Sequence, residues 1–513
     1  MSALMINVKI DLAECREAVE TDCITKNADG SLSMAMGLND AMNIDNCESA
    51  VLQVVYPSIR SALSDHLSDV SEKIAIEQAE LTMEVIVNEK PYRVDGEAGR
   101  FTFTTHSVIS DNQIVYNTAN DVFKSLNGKE YYKTVGYKEL AFIYGDTEES
   151  FRKTGALINR IRHQKVGGTP FRTLRDNTEK EGNELTDFIE VKTNRVLQEN
   201  GFTKDGDYCG DKAVYVENQP VTVSESIISR AVDSCLESTD LTMEKSEVVK
   251  AEMQANPVCY EEASAAVNVS IDDVNSKRQT GTRPEGGSDE KGKRKYVHNT
   301  VAEVSRCDQS YVLNGFGIRT VLCYLIAFLF NNDLIGKRIQ FFTDGHTTLN
   351  KIIIKCFAWY ANIGIILDWY HLEKKCKEQL SMGMKGRDLR NSVLERLLPL
   401  LWLGLTDRAI ALLCEIGSAD IKNRTAIEKI KEYLRRNAPY IPCYAIRKEL
   451  GLRNSSNRGE KANDLVVSDR QKHNGMSWSK KGSVALAFLS ALKRNNEYMS
   501  WFTKREIEMK FAT

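Results

Sequence analysis

Arg338-Ile339-Gln340-Phe341-Phe342-Thr343-Asp344 reads as a short buried strand that ends on an acid. Its apolar, aromatic and β-branched residues suit a pleated, covered surface, and Gly345 behind the acid marks a turn. Two other stretches have the same form. Val267-Asn268-Val269-Ser270-Ile271-Asp272 alternates apolar and polar residues, as a half-buried strand does, and ends on Asp272. Ile363-Gly364-Ile365-Ile366-Leu367-Asp368 runs into Trp369-Tyr370-His371. Between them, Val301 to Leu313 suits one or two more strands, 319–334 an apolar helix and 349–360 another helix. The order is therefore β-β-β-α-β-α-β, with acids at strand ends. The fold class that follows is α/β, a mixed-sheet core preceded by mostly helical N-terminal domains.

From Leu372 to about Leu450 the apolar residues fall at helical spacing, as in Leu394, Leu397, Leu398, Leu401 and Leu405. This stretch reads as a helical insertion whose leucines are core. After Asn454-Ser455-Ser456-Asn457, rich in residues that cap helices, a helix should begin, with Glu460 in its first turn or two. A last helix is expected over 482–498. Carboxylates brought together from strand ends and a helix make a cage for hard divalent cations. Strand alternation puts Asp272 on the polar face with Asn268 and Ser270, and Asp273 on the other. Each acid also has a plainer reading: a turn for Asp344-Gly345, a helix-terminus charge for Glu460, a cap for Asp368 beside His371.

Charge is uneven. Residues 1–128 hold 20 Asp and Glu against 9 Lys and Arg, a net of −11; the overall −3 leaves +8 for 129–513. A basic body suits a polyanion. Within 1–128, 51–79 has helical spacing and 84–115 leans to short strands. Residues 137–164 read as two helices about a turn, the second with a basic face that includes Arg152, Arg160 and Arg162. Such a hairpin resembles a helix-turn-helix that enters a major groove. Other basic candidates for DNA contact are Arg470, Lys472 and His473, and a loop over 275–295 with Lys277, Arg278, Lys291, Lys293, Arg294 and Lys295. The twelve cysteines form no Cys-x-x-Cys pair and the seven histidines do not cluster with them, which reads as reduced core thiols and no structural zinc. The first residues lack a basic and then apolar leader pattern, and the apolar run 321–330 is too short to span a bilayer, so a cytoplasmic protein is expected.

In combination the stretches Ser270-Ile271-Asp272-Asp273-Val274, Phe341-Phe342-Thr343-Asp344-Gly345, Leu367-Asp368-Trp369-Tyr370-His371-Leu372, Leu452 to Lys461 and Arg470 to Ser479 point to a family. From about residue 130 onward the chain resembles DDE-type transposases of bacterial insertion sequences, the ISLre-like group. The resemblance implies an RNase H-like core with a helical insertion before the third acid. It carries the catalytic, metal-holding triad to Asp272, Asp344 and Glu460, and an auxiliary Asp-x-x-His element to Asp368 and His371. It implies two Mg2+ ions, for which Mn2+ substitutes. Double-stranded DNA, both element ends and target, is the implied partner, bound by a homodimer or higher oligomer associated with the bacterial nucleoid. Where the family often has Gly-Ser-Gly before the third acid, this chain has Asn454-Ser455-Ser456-Asn457-Arg458-Gly459. The expected division is 1–128, 129–265, 266–372, 373–450 and 451–513. Two other readings stand beside it: an RNase H-like nuclease or resolvase that cuts without joining, and a DNA-binding regulator derived from a transposase.

Overall fold

A computed structural model describes residues 24–28, 32–34, 44–82, 87–110, 113–118, 132–145, 150–164, 166–210, 223–236, 247–251, 260, 266–279, 296–472 and 475–511. The chain divides into two compact units, Met1–Asp176 and Asn177–Thr513.

The first unit combines helices with a four-stranded sheet. A hairpin, β1 (Ile24–Lys26) and β2 (Leu32–Met34), precedes the long helix α1 (Ile44–Thr82). Strands β3 (Val87–Gly96), β4 (Gly99–Ser110), β5 (Gln113–Asn117) and β6 (Tyr132–Lys133) form a sheet in the order β5-β4-β3-β6. The strand tendency read over 84–115 is therefore present, in longer strands; 83–86 lie outside the described residues. Helix α1 lies along β4, where Ser64 Oγ donates to Thr102 O and Thr104 N–H donates to Ser68 Oγ. The helical hairpin consists of α2 (Val135–Lys138), a wider turn over Glu139–Tyr144 and α3 (Phe151–Ile161), capped where Ser150 Oγ accepts from Lys153 N–H.

The second unit starts along α4 (Phe171–Glu199) and α5 (Glu225–Leu236). Its centre is a five-stranded sheet of β7 (Ala266–Lys277), β8 (Tyr296–Arg306), β9 (Gln309–Gly315), β10 (Arg338–Thr343) and β11 (Ile363–Leu367). The order is β11-β10-β7-β8-β9: β7, β8 and β9 form an antiparallel meander, and β10 and β11 run parallel to β7. Parallel strands need crossovers, supplied by α6 (Ile318–Asn331) and α7 (Thr347–Cys356). These helices cover one face, with Phe328 on Tyr311 and Phe357 on Phe341.

After β11 come the helices of the insertion: α8 (Trp369–Gly383), α9 (Arg387–Trp402), α10 (Thr406–Cys414), α11 (Arg424–Asn437) and α12 (Tyr444–Glu449). Leu394, Leu397 and Leu401 are buried in one core with Phe342, Ile366 and Leu367, so the insertion is built onto the sheet. The chain returns as α13 (Asn457–Asn463), which continues helically through Gln471, then α14 (Lys480–Arg494) and α15 (Tyr498–Lys504). Ala462, Val466 and Val467 join Ala487 and Ala491 of α14 against Val274, Val301 and Val312. This second face of the sheet is the one that Asp272 shares.

Two boundaries differ from the sequence reading. Strand β7 does not end at Asp272 but runs on to Lys277, paired throughout with β8. Residues 275–277 therefore belong to a strand, while 280–295 lie outside the described residues. The last helix breaks near Asn495 into two.

Candidate active site

The register of the parallel strands sets the level of the acids. Phe342 pairs with Ser270 on one side and with Ile366 on the other. Two residues further along, the same offsets bring Asp344 level with Asp272 and with Asp368. Asp272 reaches this level in mid-strand, with the β8 meander still paired beside it, whereas β10 and β11 stop there. The alternation read from sequence holds: Asp272 shares a face with Ser270, while Asp273 turns away and accepts from Thr300 Oγ1.

Helix α13 brings Glu460 to the same place. Gly459 makes this approach feasible, because a Cβ there would lie 2.4 Å from the Ser270 Cβ. Asn463, one turn after Glu460, donates from Nδ2 to Asp272 Oδ2 at 3.1 Å. One cleft is lined by Ser270, Asp272, Asp344, His371, Glu460 and Asn463, with Phe342, Ser456 and Gly459 among its walls.

Asp344 follows β10 directly. Gly345 has φ +83°, and a Cβ on it would press on Leu367 and Tyr433, so the turn favours glycine strongly. Asp344 Oδ1 accepts from His346 N–H at 2.8 Å, and Tyr433 of α11 donates to Asp344 O at 3.2 Å. Asp344 thus sits in a turn and also borders the cleft.

Asp368 has a different position. Its side chain is 1% exposed and caps α8. Oδ1 accepts from His371 N–H at 2.9 Å and lies 3.2 Å from His371 Nδ1, while Oδ2 accepts from Ser456 N–H. Asp368 therefore fastens the segment before α13 to the end of β11. Arg447 braces the same segment, donating to Gln340 Oε1, Arg453 O and Asn454 Oδ1. His371 does face the cleft, its Nε2 3.8 Å from Glu460 Oε1.

The electrostatics follow from this crowding. Asp272 stays open to solvent by area. Desolvation by the surrounding protein, with the Asp344 charge adding, nevertheless pushes its carboxyl up to about 6, against the pull of the Asp273 N–H. Burial alone would raise Asp368, but hydrogen bonds from His371 and Ser456 outweigh it and hold the carboxyl below its ordinary value. The hydrogen bond to Asp368 raises His371, with Glu460 and Asp344 adding to the effect.

Oxygen donors that repel one another suit a hard cation. Among the described residues no group of three His, Cys, Asp or Glu side chains is drawn tight enough to hold a metal ion as placed. Asp344 is exposed and the Glu460 side chain is 43% exposed, so both have room to swing towards Asp272. The donor set fits a divalent cation on those terms.

Family models and curated proteins yield no match to this chain.

The basic candidates separate by burial. Arg152 and Arg160 are exposed on α3, with Arg152 also stacked over Phe171 at 5.4 Å. Arg162 is fully buried: it donates to Gly96 O, Asn159 Oδ1 and Thr169 Oγ1 and packs over Tyr137. Arg470 is 6% exposed and lies over Trp478. Neither Arg162 nor Arg470 faces outward to meet DNA, contrary to the sequence reading; long cations can serve packing as well as charge. Lys472 is exposed, and His473 lies outside the described residues. Cys209, Cys235, Cys307, Cys323, Cys356, Cys376, Cys414 and Cys443 are free thiols. Among the described residues no helix is long and apolar enough to cross a membrane.

Sequence reasoning missed Ser270, Ser456, Gly459 and Asn463. Asn463 had a signal, since three residues from Glu460 puts both on one helix face. The Ser456 main-chain donor had none, because any residue except proline supplies it.

Proposed function

We propose that this chain is a DNA transposase with an RNase H-like core, which cuts and joins DNA through Asp272, Asp344 and Glu460. The observation that carries the reading is one cleft, on one face of a β11-β10-β7-β8-β9 sheet, lined by three acids that are 72 and 116 residues apart in sequence. Packing alone has no need of mutually repelling carboxylates at one spot.

Asp272, Asp344 and Glu460 would hold two divalent cations, Mg2+ or Mn2+, which when bound supply activation of a water or 3′-hydroxyl and stabilisation of the leaving oxygen. Asn463 orients the Asp272 carboxylate. Asp368 fixes the return of the chain into α13, and so the reach of Glu460. His371 borders the reacting phosphate and is kept basic by Asp368. Tyr433 ties the insertion to the Asp344 turn. The hairpin 137–164, through exposed Arg152 and Arg160, reads the element end, and DNA joining two ends requires at least a dimer.

The test is strand transfer. Full-length protein is mixed with Mg2+, a target plasmid and duplexes ending in the element's terminal repeat, labelled at the strand with a free 3′-hydroxyl. Covalent joining of label to plasmid is expected. Cutting without joining would assign a nuclease, and specific binding with neither would assign a regulator.

A further inference from the structure

Strand β7 runs five residues past Asp272 to Lys277, and there a segment from near the end of the chain docks on it. Trp478 N–H donates to Lys277 O at 2.8 Å, and Gln279 N–H donates to Trp478 O at 2.8 Å. Arg278 bridges Trp478 in parallel. Beneath this junction is a buried polar knot. Ser483 Oγ contacts Ser276 Oγ at 3.1 Å, accepts from Asn299 Nδ2 at 2.7 Å and donates to Gln471 Oε1. Trp478 Nε1 closes it by donating to Gln471 O at 3.2 Å. Two segments about 200 residues apart are thereby fixed to each other on a rigid base.

This junction carries a group of solvent-exposed cations, with one carboxylate, Glu179, beside Gly482. Lys277, Arg278, Lys472, Lys480 and Lys481 are all exposed. Lys480 Nζ is steadied 3.5 Å from the centre of the Phe316 ring. Neither 275–279 nor 472–481 contains an Asp or Glu. Tyr296, the register partner of Lys277, is 52% exposed, an open aromatic beside the charges. Holding like charges together on a stiff scaffold costs free energy unless a polyanion meets them. At about 3.4 Å per residue, Lys277 stands ~17 Å along the strand from Asp272. At ~3.4 Å per nucleotide step that is about five nucleotides of one DNA strand.

Resting on the reading of the cleft above, we propose that Lys277, Arg278, Lys472, Lys480 and Lys481, with Tyr296, form a shelf that grips the phosphate backbone of the DNA whose reacting phosphate lies at Asp272. The shelf contributes affinity and alignment without reading sequence, as phosphate contacts do.

Binding of full-length protein to a 30-base-pair duplex of arbitrary sequence, followed by fluorescence anisotropy across a salt series, tests this without needing catalysis. Each neutralised phosphate contact contributes about 0.9 to the slope of log K against log salt. The double variants Lys277→Ala/Arg278→Ala and Lys480→Ala/Lys481→Ala should each lower that slope by about 1 to 2. A control, Lys355→Ala/Lys504→Ala, removes two exposed lysines elsewhere and should leave it unchanged. Thermal melting checks that each variant is folded. An unchanged slope in both shelf variants, or an equal fall in the control, overturns the proposal. If the slope falls as expected while strand transfer is never observed, the shelf stands and the transposase reading fails.

Discussion

Gly459 and Ser270 are in such close contact that any side chain at 459 would overlap the strand that carries Asp272. This contact sets the distance between the helix of Glu460 and the level of the two aspartates. Gly459→Ala should push α13 off β7. Overpacking of this kind costs about 1–3 kcal/mol, read as a lower melting temperature, and the loss of activity should be far larger than the loss of folded protein. Unaltered turnover in a folded Gly459→Ala variant would mean that Glu460 need not approach Asp272.

Asp368 should behave as a positioning residue. Asp368→Ala leaves the Ser456 N–H and the His371 N–H without their acceptor. Buried unsatisfied donors cost about 1–3 kcal/mol each, so chemical denaturation should show a loss of a few kcal/mol. The pH dependence has a definite sign. The Asp368 carboxyl is held low in the folded state, so its contribution is present above the ordinary carboxylate range and is lost as pH falls through the folded value. His371 is raised, so its contribution is full below its unfolded value and fades as pH rises through the folded one. Asp368→Ala should remove the first dependence and weaken the second.

The crowded Asp272 leads to a cation-dependent expectation. Its folded value is raised to about 6, so its contribution to stability is full below about pH 4 and is lost as pH rises towards and through 6. Metal-free protein should therefore lose melting temperature over that window. Mg2+ or Mn2+ should restore it above pH 6 and do little near pH 4, where protonated carboxyls bind cations poorly. In Asp344→Asn the restoration should shrink. Equal stabilisation at pH 4 and pH 7.5 would contradict a cation held by these carboxylates.

Arg162 and Arg160, two residues apart, should separate structure from DNA contact. Arg162→Ala removes a buried cation from a cluster that includes Asp95, itself paired with Arg100 and Thr169. Breaking such a cluster costs roughly 3–5 kcal/mol. Arg160→Ala should leave the melting temperature nearly unchanged and weaken binding to the element end. Melting curves beside binding isotherms distinguish the two.

Much of the second unit was legible in its sequence, because the signals there are local. The strands over 338–343 and 363–367 are short apolar runs bounded by turn residues, and the alternation over 267–272 placed Asp272 on the correct face. The end of β7 was not legible: Asp272, Asp273, Asn275 and Lys277 look like a loop until β8 pairs with them. Arg162 and Arg470 were misread for a related reason. An arginine in a basic helix looks solvated unless the carbonyl groups and aromatic rings that enclose it are known, and those come from distant segments. The boundary at 176 falls within a helix, where no composition shift marks it.

The most direct measurement compares wild-type protein with Asp344→Asn in Mg2+-dependent cleavage and joining of element-end DNA, with binding followed on the same duplex. The substitution keeps the shape of the turn, including an oxygen able to accept from His346 N–H, and removes the charge. Wild-type should cut and join, while Asp344→Asn should bind with nearly unchanged affinity and do neither. Cleavage by Asp344→Asn at close to the wild-type rate would contradict the assignment of this cleft as the catalytic site.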